Sequence, residues 1–203
     1  MPKDTSGPTR AEKKNRKEQK RRALLKRLPK RGTVVEIGVW RGDFSDTILK
    51  LLKPKRLILC DPWRHFADDG QDDTLTARAG QAEMDKIAND VATRFADEIA
   101  AGRVEIRREM SKDFISGLPD GSIDVAYIDG DHSYDGLRGD LEAILPKMAV
   151  NGVIACDDYH RRGWWKNGVI RALNEFLGAH SDELRLFALE GAQVAVERLE
   201  PMD

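Results

Sequence analysis

Two short runs of this chain decide its fold: Ile123-Asp124-Val125-Ala126-Tyr127-Ile128, which leads into Asp129-Gly130-Asp131-His132, and Gly152-Val153-Ile154-Ala155-Cys156, which leads into Asp157-Asp158-Tyr159. Each is a brief apolar stretch closed by turn residues, the signature of a buried strand. If the two strands are parallel neighbours, their carboxyl ends lie about 5 Å apart laterally. Asp129, Asp131, Asp157 and Asp158 then surround one crevice, at the edge where open α/β sheets bind ligands. Two carboxylates about 4 Å apart repel by roughly 4 kcal/mol at an effective dielectric near 20. Such a cluster needs a cation, shared protons or hydrogen-bond donors, and a divalent metal is the simplest answer.

The same rhythm extends outward from this stretch. Apolar strand patterns at Thr33 to Ile37, Leu57 to Cys60 and Val104 to Ile106 precede it, and helical patterns at Ser45 to Leu52, Arg78 to Ala101, Tyr134 to Met148 and Lys166 to Leu177 fill the intervals. Alternation of this kind predicts a parallel sheet with helices on both faces, a three-layer α/β sandwich. After the last helix the rhythm changes. Leu184 to Leu189 and Gln193 to Leu199 are joined only by a few residues around Gly191, a link so short that it permits only antiparallel pairing. The expectation is a seven-stranded, mostly parallel sheet ending in an antiparallel hairpin.

The chain of 203 residues, 40% hydrophobic and 34% charged, is long enough for one domain with a full core and too short for two ordinary ones. Its charge is unevenly divided. Residues 1–31 carry 13 Lys/Arg against 3 Asp/Glu, a net charge of +10, while residues 32–203 carry −11. We therefore read residues 1–31 as a basic extension and residues 32–203 as the domain. Residues 10–28 form a helix pattern ended by Pro29, with apolar residues only at Ala23, Leu24, Leu25 and Leu28. Its last turns are expected to dock and the rest to be solvated. Three readings of the tail stand side by side: nucleic-acid or anionic-membrane binding by counterion release, a solvated helix, or pairing with the acidic body. The solvated or self-docked tail is favoured, because no aromatics are interleaved for base stacking.

No apolar stretch approaches the roughly 20 residues that span a bilayer, and the basic N-terminus lacks the apolar segment of a secretory signal. A soluble, cytoplasmic protein is expected. Cys60 and Cys156 each close a strand pattern and read as small buried hydrophobes in a reducing compartment.

The first strand enters Glu36-Ile37-Gly38-Val39-Trp40-Arg41-Gly42, a glycine turn opening a helix. Glycines let a ligand approach the backbone, and a helix N-terminus favours negative or polar ligand groups. The spacing is neither that of a dinucleotide fold nor that of a phosphate loop, and an acid at position 36 suits a cationic ligand better than a pyrophosphate. Asp61 ends the second strand, about 20 residues on, where an acid binds ribose hydroxyls or caps a turn. Trp63 stacks on a base, lines an acceptor pocket or joins the core. His132 rivals Asp131 as a base. His160, Trp164 and Trp165 follow the second acid cluster, where the tryptophans either stack on a ring or seal a core edge. His65 to Ala77, with Asp68, Asp69, Asp72 and Asp73, reads as a polar insertion at the same sheet edge.

Glu36-x-Gly38-x-x-x-Gly42, Asp61-Pro62-Trp63, Asp129-Gly130-Asp131-His132-Ser133-Tyr134 and Leu145-Pro146-Lys147 through Gly152-Val153-Ile154 to Asp157-Asp158-Tyr159 together resemble the class I S-adenosylmethionine-dependent methyltransferases. The likeness spans about residues 32 to 178, and within that group it is nearest the small bacterial branch of macrocin-type and related sugar O-methyltransferases. The resemblance implies a Rossmann-like fold with strand order 3-2-1-4-5-7-6. It further implies that Glu36, Gly38 and Gly42 form the cofactor loop, with Asp129 and Trp63 beside the cofactor. Asp61 would hold the ribose hydroxyls and Ser111 would lie near the adenine, although Glu109-Met110 stands where relatives often have glycine before that segment. Asp129, Asp157 and Asp158 would bind Mg²⁺ or a similar ion, and Asp131 would be the general base, with His132 its rival.

Elementary chemistry agrees with that implication: hard cations prefer carboxylate oxygens, a metal-bound hydroxyl loses its proton more readily, and methyl transfer then depends on in-line positioning. The expected reaction is metal-assisted O-methylation of a small-molecule acceptor such as a sugar, with homo-oligomerisation left open. The rivals are a metal-independent amine or RNA methyltransferase with the tail recruiting RNA, a metal-dependent nucleotide-sugar glycosyltransferase using Asp129-x-Asp131, and a non-catalytic RNA-binding module. The glycosyltransferase reading leaves Glu36 and the glycine turn without a role.

Overall fold

The computed structural model describes residues 7, 9–66 and 80–200. Its elements in chain order are α1 (Arg10–Arg27), β1 (Thr33–Ile37), α2 (Asp43–Leu52), β2 (Arg56–Cys60), α3 (Gln81–Arg94), α4 (Ala96–Ala100), β3 (Val104–Arg107), α5 (Ser111–Ser116), β4 (Ile123–Ile128), α6 (Tyr134–Ile144), a 3₁₀ turn (Leu145–Lys147), β5 (Met148–Cys156), α7 (Gly168–Ala179), β6 (Leu184–Glu190) and β7 (Gln193–Arg198). Most of the expected polar insertion, with Asp68, Asp69, Asp72 and Asp73, lies outside the described residues.

The seven strands form one sheet in the order β3-β2-β1-β4-β5-β7-β6. The first five are parallel, while β7 runs antiparallel to both β5 and β6. This is the Rossmann-like order expected above. The hairpin turns at Gly191, whose φ of 68° suits a residue without Cβ.

Two details depart from the sequence reading. The helix expected from 78 to 101 breaks at Phe95, which is 2% exposed and packs a ring edge 2.9 Å from where a Cβ on Gly42 would stand. The strand β5 starts at Met148, which the sequence pattern assigned to the end of a helix, four residues before the apolar run from Gly152. Met148 pairs with Ile123, and the register shifts before Val153 meets Val125.

Side-chain alternation divides the core into two layers. Val34, Val125, Tyr127, Val153 and Ala155 face the layer of α1, α2 and α3, packing with Leu24, Leu25, Ile48 and Met84. Val35, Ile37, Ala126, Ile128 and Ile154 face α5, α6 and α7, packing with Ile115, Leu141 and Phe176. The period of two carries past the strand ends, so Glu36 sits on the α1/α2 side of β1, and Asp129 and Asp157 continue the α1-facing rows of β4 and β5.

Thr9 and Glu12 close a reciprocal capping box at the start of α1. The helix docks through Leu24, Leu25 and Leu28, which are 0%, 0% and 3% exposed. Cys60 and Cys156 are free and buried, and burial pushes both thiols up to about 12, as expected of inert packing groups. Among the described residues no helix is long and apolar enough to cross a membrane.

Candidate active site

The carboxyl ends of β1, β2, β4 and β5 converge at one edge. At the β1 end, Gly38 has φ +87°, and a Cβ there would stand 2.3 Å from the Asp129 carbonyl oxygen. Glycine is required for two reasons, the left-handed backbone and the direct contact between the β1 turn and the β4 turn. The Asp129 N–H also donates to the Ile37 carbonyl at 2.8 Å. The glycine loop and the first acid are therefore built against one another. Gly42, at φ 73°, opens α2 with no side-chain cap.

Glu36 is 1% exposed beneath α2 and accepts a hydrogen bond from Ser45 Oγ at 2.5 Å. Burial raises its carboxyl from the ordinary 4.5 to about 8, against the Ser45 bond, which favours the charged form. At neutral pH it is mostly protonated. Asp61 Oδ2 accepts from the Val39 and Trp40 N–H groups, both at 3.0 Å, and Oδ1 accepts from the Trp63 N–H at 2.8 Å. It braces the glycine loop against the β2 end, while Oδ1 keeps a second acceptor position.

Trp63 is 1% exposed, with its indole N–H donating to the Trp40 carbonyl at 2.9 Å. The core is the place its burial supports, and no open face remains for stacking. Ser111 begins α5, with its hydroxyl hydrogen-bonded to Asp140. Burial, the larger influence, raises Asp140 to about 6 against that bond.

The acid cluster holds two cations from α1, in keeping with the reading in which the tail pairs with the acidic body. Arg21 of α1 bridges Asp129 Oδ2 and Asp157 Oδ2, and Lys17 Nζ lies 2.7 Å from Asp158 Oδ1 and 3.0 Å from Asp157 Oδ2. The Arg21 guanidinium lies 4.9 Å over the Phe44 ring. Burial opposes the charge on Asp129, but the adjacent His132 imidazole and the charges of Arg21 and Lys17 outweigh it and hold the carboxyl below its usual range. The Asp157 carboxyl also accepts from Gln193, which in turn accepts the Tyr127 hydroxyl at 2.5 Å.

A sequence signal for these cations did exist. Positions 17, 21, 24 and 28 lie on one helical face, so Lys17 and Arg21 continue the Leu24/Leu28 stripe toward the N-terminus. The expectation of a solvated helix beyond its last turns is corrected on this point.

His132 joins the cluster: its Nε2 lies 3.3 Å from Asp129 Oδ1 and 3.7 Å from Asp158 Oδ2, and its ring packs 4.8 Å from Trp165. Asp131 turns away from it. Its Oδ1 accepts the Ser133 N–H at 2.8 Å, and its carboxyl lies where a Cβ on Gly136 would stand. Ser133 caps α6, accepting the Gly136 N–H at 3.0 Å. His160 Nε2 reaches Asp158 Oδ1 at 3.3 Å, and Trp165 seals this edge between His132 and His160.

Ligand atoms of Asp129, His132 and Asp158 lie within 4.8 Å of one another. His132 Nε2 is buried without a hydrogen bond, and Asp157 Oδ2 is buried with only the ion pairs to Lys17 and Arg21. Three carboxylates and an imidazole suit a hard or borderline divalent cation. The donors fit such an ion, with Lys17 and Arg21 now seated among them.

Residues 35–159 match the model of a family described as a methyltransferase domain. Comparison of the sequence with curated proteins gives no match. Among solved structures, the chain is similar to an rRNA-methylase candidate from Clostridium thermocellum, at 12% identity over 92% of this chain and 97% of that one, with a TM-score of 0.64. It is also similar to the O-methyltransferase NovP, at 21% identity over 92% and 79%, with a TM-score of 0.60. A third likeness is to CalS11, a TDP-rhamnose 3′-O-methyltransferase of calicheamicin biosynthesis, at 18% identity over 93% and 81%, with a TM-score of 0.56. At these identities the structural likenesses speak for the fold, while the family match spans the glycine turn, Asp61 and both acid pairs. The chain belongs to the class I S-adenosylmethionine-dependent methyltransferases.

Proposed function

We propose that this enzyme transfers a methyl group from S-adenosylmethionine to a hydroxyl of a small acceptor such as a sugar, assisted by a divalent cation. The observation that supports the reading is the close approach of Gly38 to the Asp129 backbone, which sets the glycine turn directly beside the acid cluster. The cofactor would lie over Gly38 and Gly42, its ribose on Asp61 Oδ1 and its adenine toward Ser111. Glu36, mostly uncharged at neutral pH, would shape the loop from beneath through Ser45.

Asp129, Asp157 and Asp158 would hold the cation, with His132 at its side. When bound, such an ion lowers the pKa of a hydroxyl and orients it. His132 is better placed than Asp131 to take the proton, since its Nε2 faces the cluster while the Asp131 carboxylate is turned onto the Ser133 N–H. Trp165 would exclude water from that side. The likeness to NovP and CalS11 favours a hydroxyl acceptor.

The seating of Lys17 and Arg21 among the acids favours a second reading, transfer without a metal. Incubation of the full chain with S-adenosylmethionine, a panel of sugar and phenolic acceptors, and either Mg²⁺ or a chelator separates the two. The reading predicts S-adenosylhomocysteine release that needs an acceptor hydroxyl and falls at least about tenfold with chelator. Undiminished turnover in chelator would refute the metal, and transfer only to amines or RNA would refute the acceptor.

A further inference from the structure

The helix α1 is held in two different ways. Its C-terminal end is anchored by burial, with Leu24, Leu25 and Leu28 almost wholly inside the core. The stretch before Leu24 is mostly exposed and reaches the body through cations: Lys17 and Arg21 on the acid cluster, and Lys20 on Glu190 of β6 at 3.4 Å. The oxygens that Lys17 and Arg21 occupy belong to Asp129, Asp157 and Asp158, the same groups assigned to a divalent cation. Such an ion needs those oxygens at about 2.0–2.6 Å. A dication placed there would lie at contact distance from an ammonium and a guanidinium in a largely buried site, where like charges are poorly screened.

We propose that the first turns of α1 act as an internal counter-ion strap, so that docking of Lys17 and Arg21 and binding of a divalent cation are mutually exclusive. The inference rests on the metal reading above. Metal would replace the two side-chain cations, and the helix before Leu24, with little apolar burial to keep it down, would lift from the crevice. With the metal absent, the strap neutralises the acids and covers the cluster. The coupling is reciprocal: a docked strap weakens metal binding as bound metal weakens docking, so a variant whose strap no longer docks is expected to bind metal more tightly.

Two measurements with the metal ion alone test this. Amide hydrogen exchange of the full chain is followed with Mg²⁺ or Mn²⁺ and with KCl at matched ionic strength. The divalent ion, and not KCl, is expected to speed exchange over residues 13–21, while the Leu28 N–H, bonded to the Leu25 carbonyl, keeps its protection. Calorimetry of the Lys17→Gln/Arg21→Gln double variant is expected to show metal affinity raised within the ordinary coupling range of about 5- to 150-fold. Exchange in the parent chain stands as a test even if the variant fails to fold. Metal binding with unchanged exchange at 13–21 and equal affinity in the variant would overturn the strap and leave the metal site standing. Binding to neither protein would overturn both.

Discussion

Glu36 shows how one buried side chain sets a pH dependence. Its carboxyl titrates at about 8 in the fold against an ordinary 4.5. Below pH 4.5 both folded and unfolded chains keep the proton, so its favourable contribution to stability is fully present. As pH rises from 4.5 to 8 the unfolded chain ionises while the fold retains the proton, and stability falls by at most about 1.4 kcal/mol per pH unit. Glu36→Gln should remove this slope. Thermal unfolding of both proteins between pH 5 and 8 is expected to show the variant gaining on the parent as pH rises, and parallel curves would contradict the assignment. The acid at position 36 was legible as part of a glycine-turn motif. Its protonation was not, because it depends on α2 lying across it, a tertiary fact. Trp63 teaches the same lesson: next to a strand end its sequence allowed both stacking and core, and only the packing of α3 against β2 decided for the core.

At the scale of elements, α1 links core and site. Leu24 is fully buried among the first core layer, three residues from the Arg21 that bridges Asp129 and Asp157. Leu24→Ala should cost about 2–5 kcal/mol and loosen the whole helix, read as a lower unfolding midpoint in denaturant together with faster amide exchange along α1. A loss below about 1 kcal/mol would mean that α1 contributes little to the folded domain. Alternating apolar strands made the sheet readable, and the short link at Gly191 made its antiparallel end readable. Two things were hidden. The capped start of α6 turns Asp131 out and His132 in, a local backbone choice between two equally polar residues. The docking of the last turns of α1 was legible from its leucines, but the seating of Lys17 and Arg21 on these particular acids was not, because their part of the contact face is charged.

For the whole molecule, the division between a basic extension and an acidic domain takes on a structural meaning. Part of the positive charge of residues 1–31 is spent on the acids at the sheet edge rather than left for a partner. The fold brings the glycine turn of β1, Asp61 of β2, Asp129 after β4 and the Asp157/Asp158 pair after β5 to one edge of the sheet, and the account stands on a sulfonium cofactor lying there. Calorimetric titration with S-adenosylhomocysteine tests it most directly, on the parent chain, on Asp61→Ala and on Asp157→Ala. The account predicts saturable one-site binding to the parent, at least about tenfold weaker binding to Asp61→Ala, and affinity within about twofold of the parent for Asp157→Ala. No binding to the parent, or equal affinity for the parent and Asp61→Ala, would contradict it.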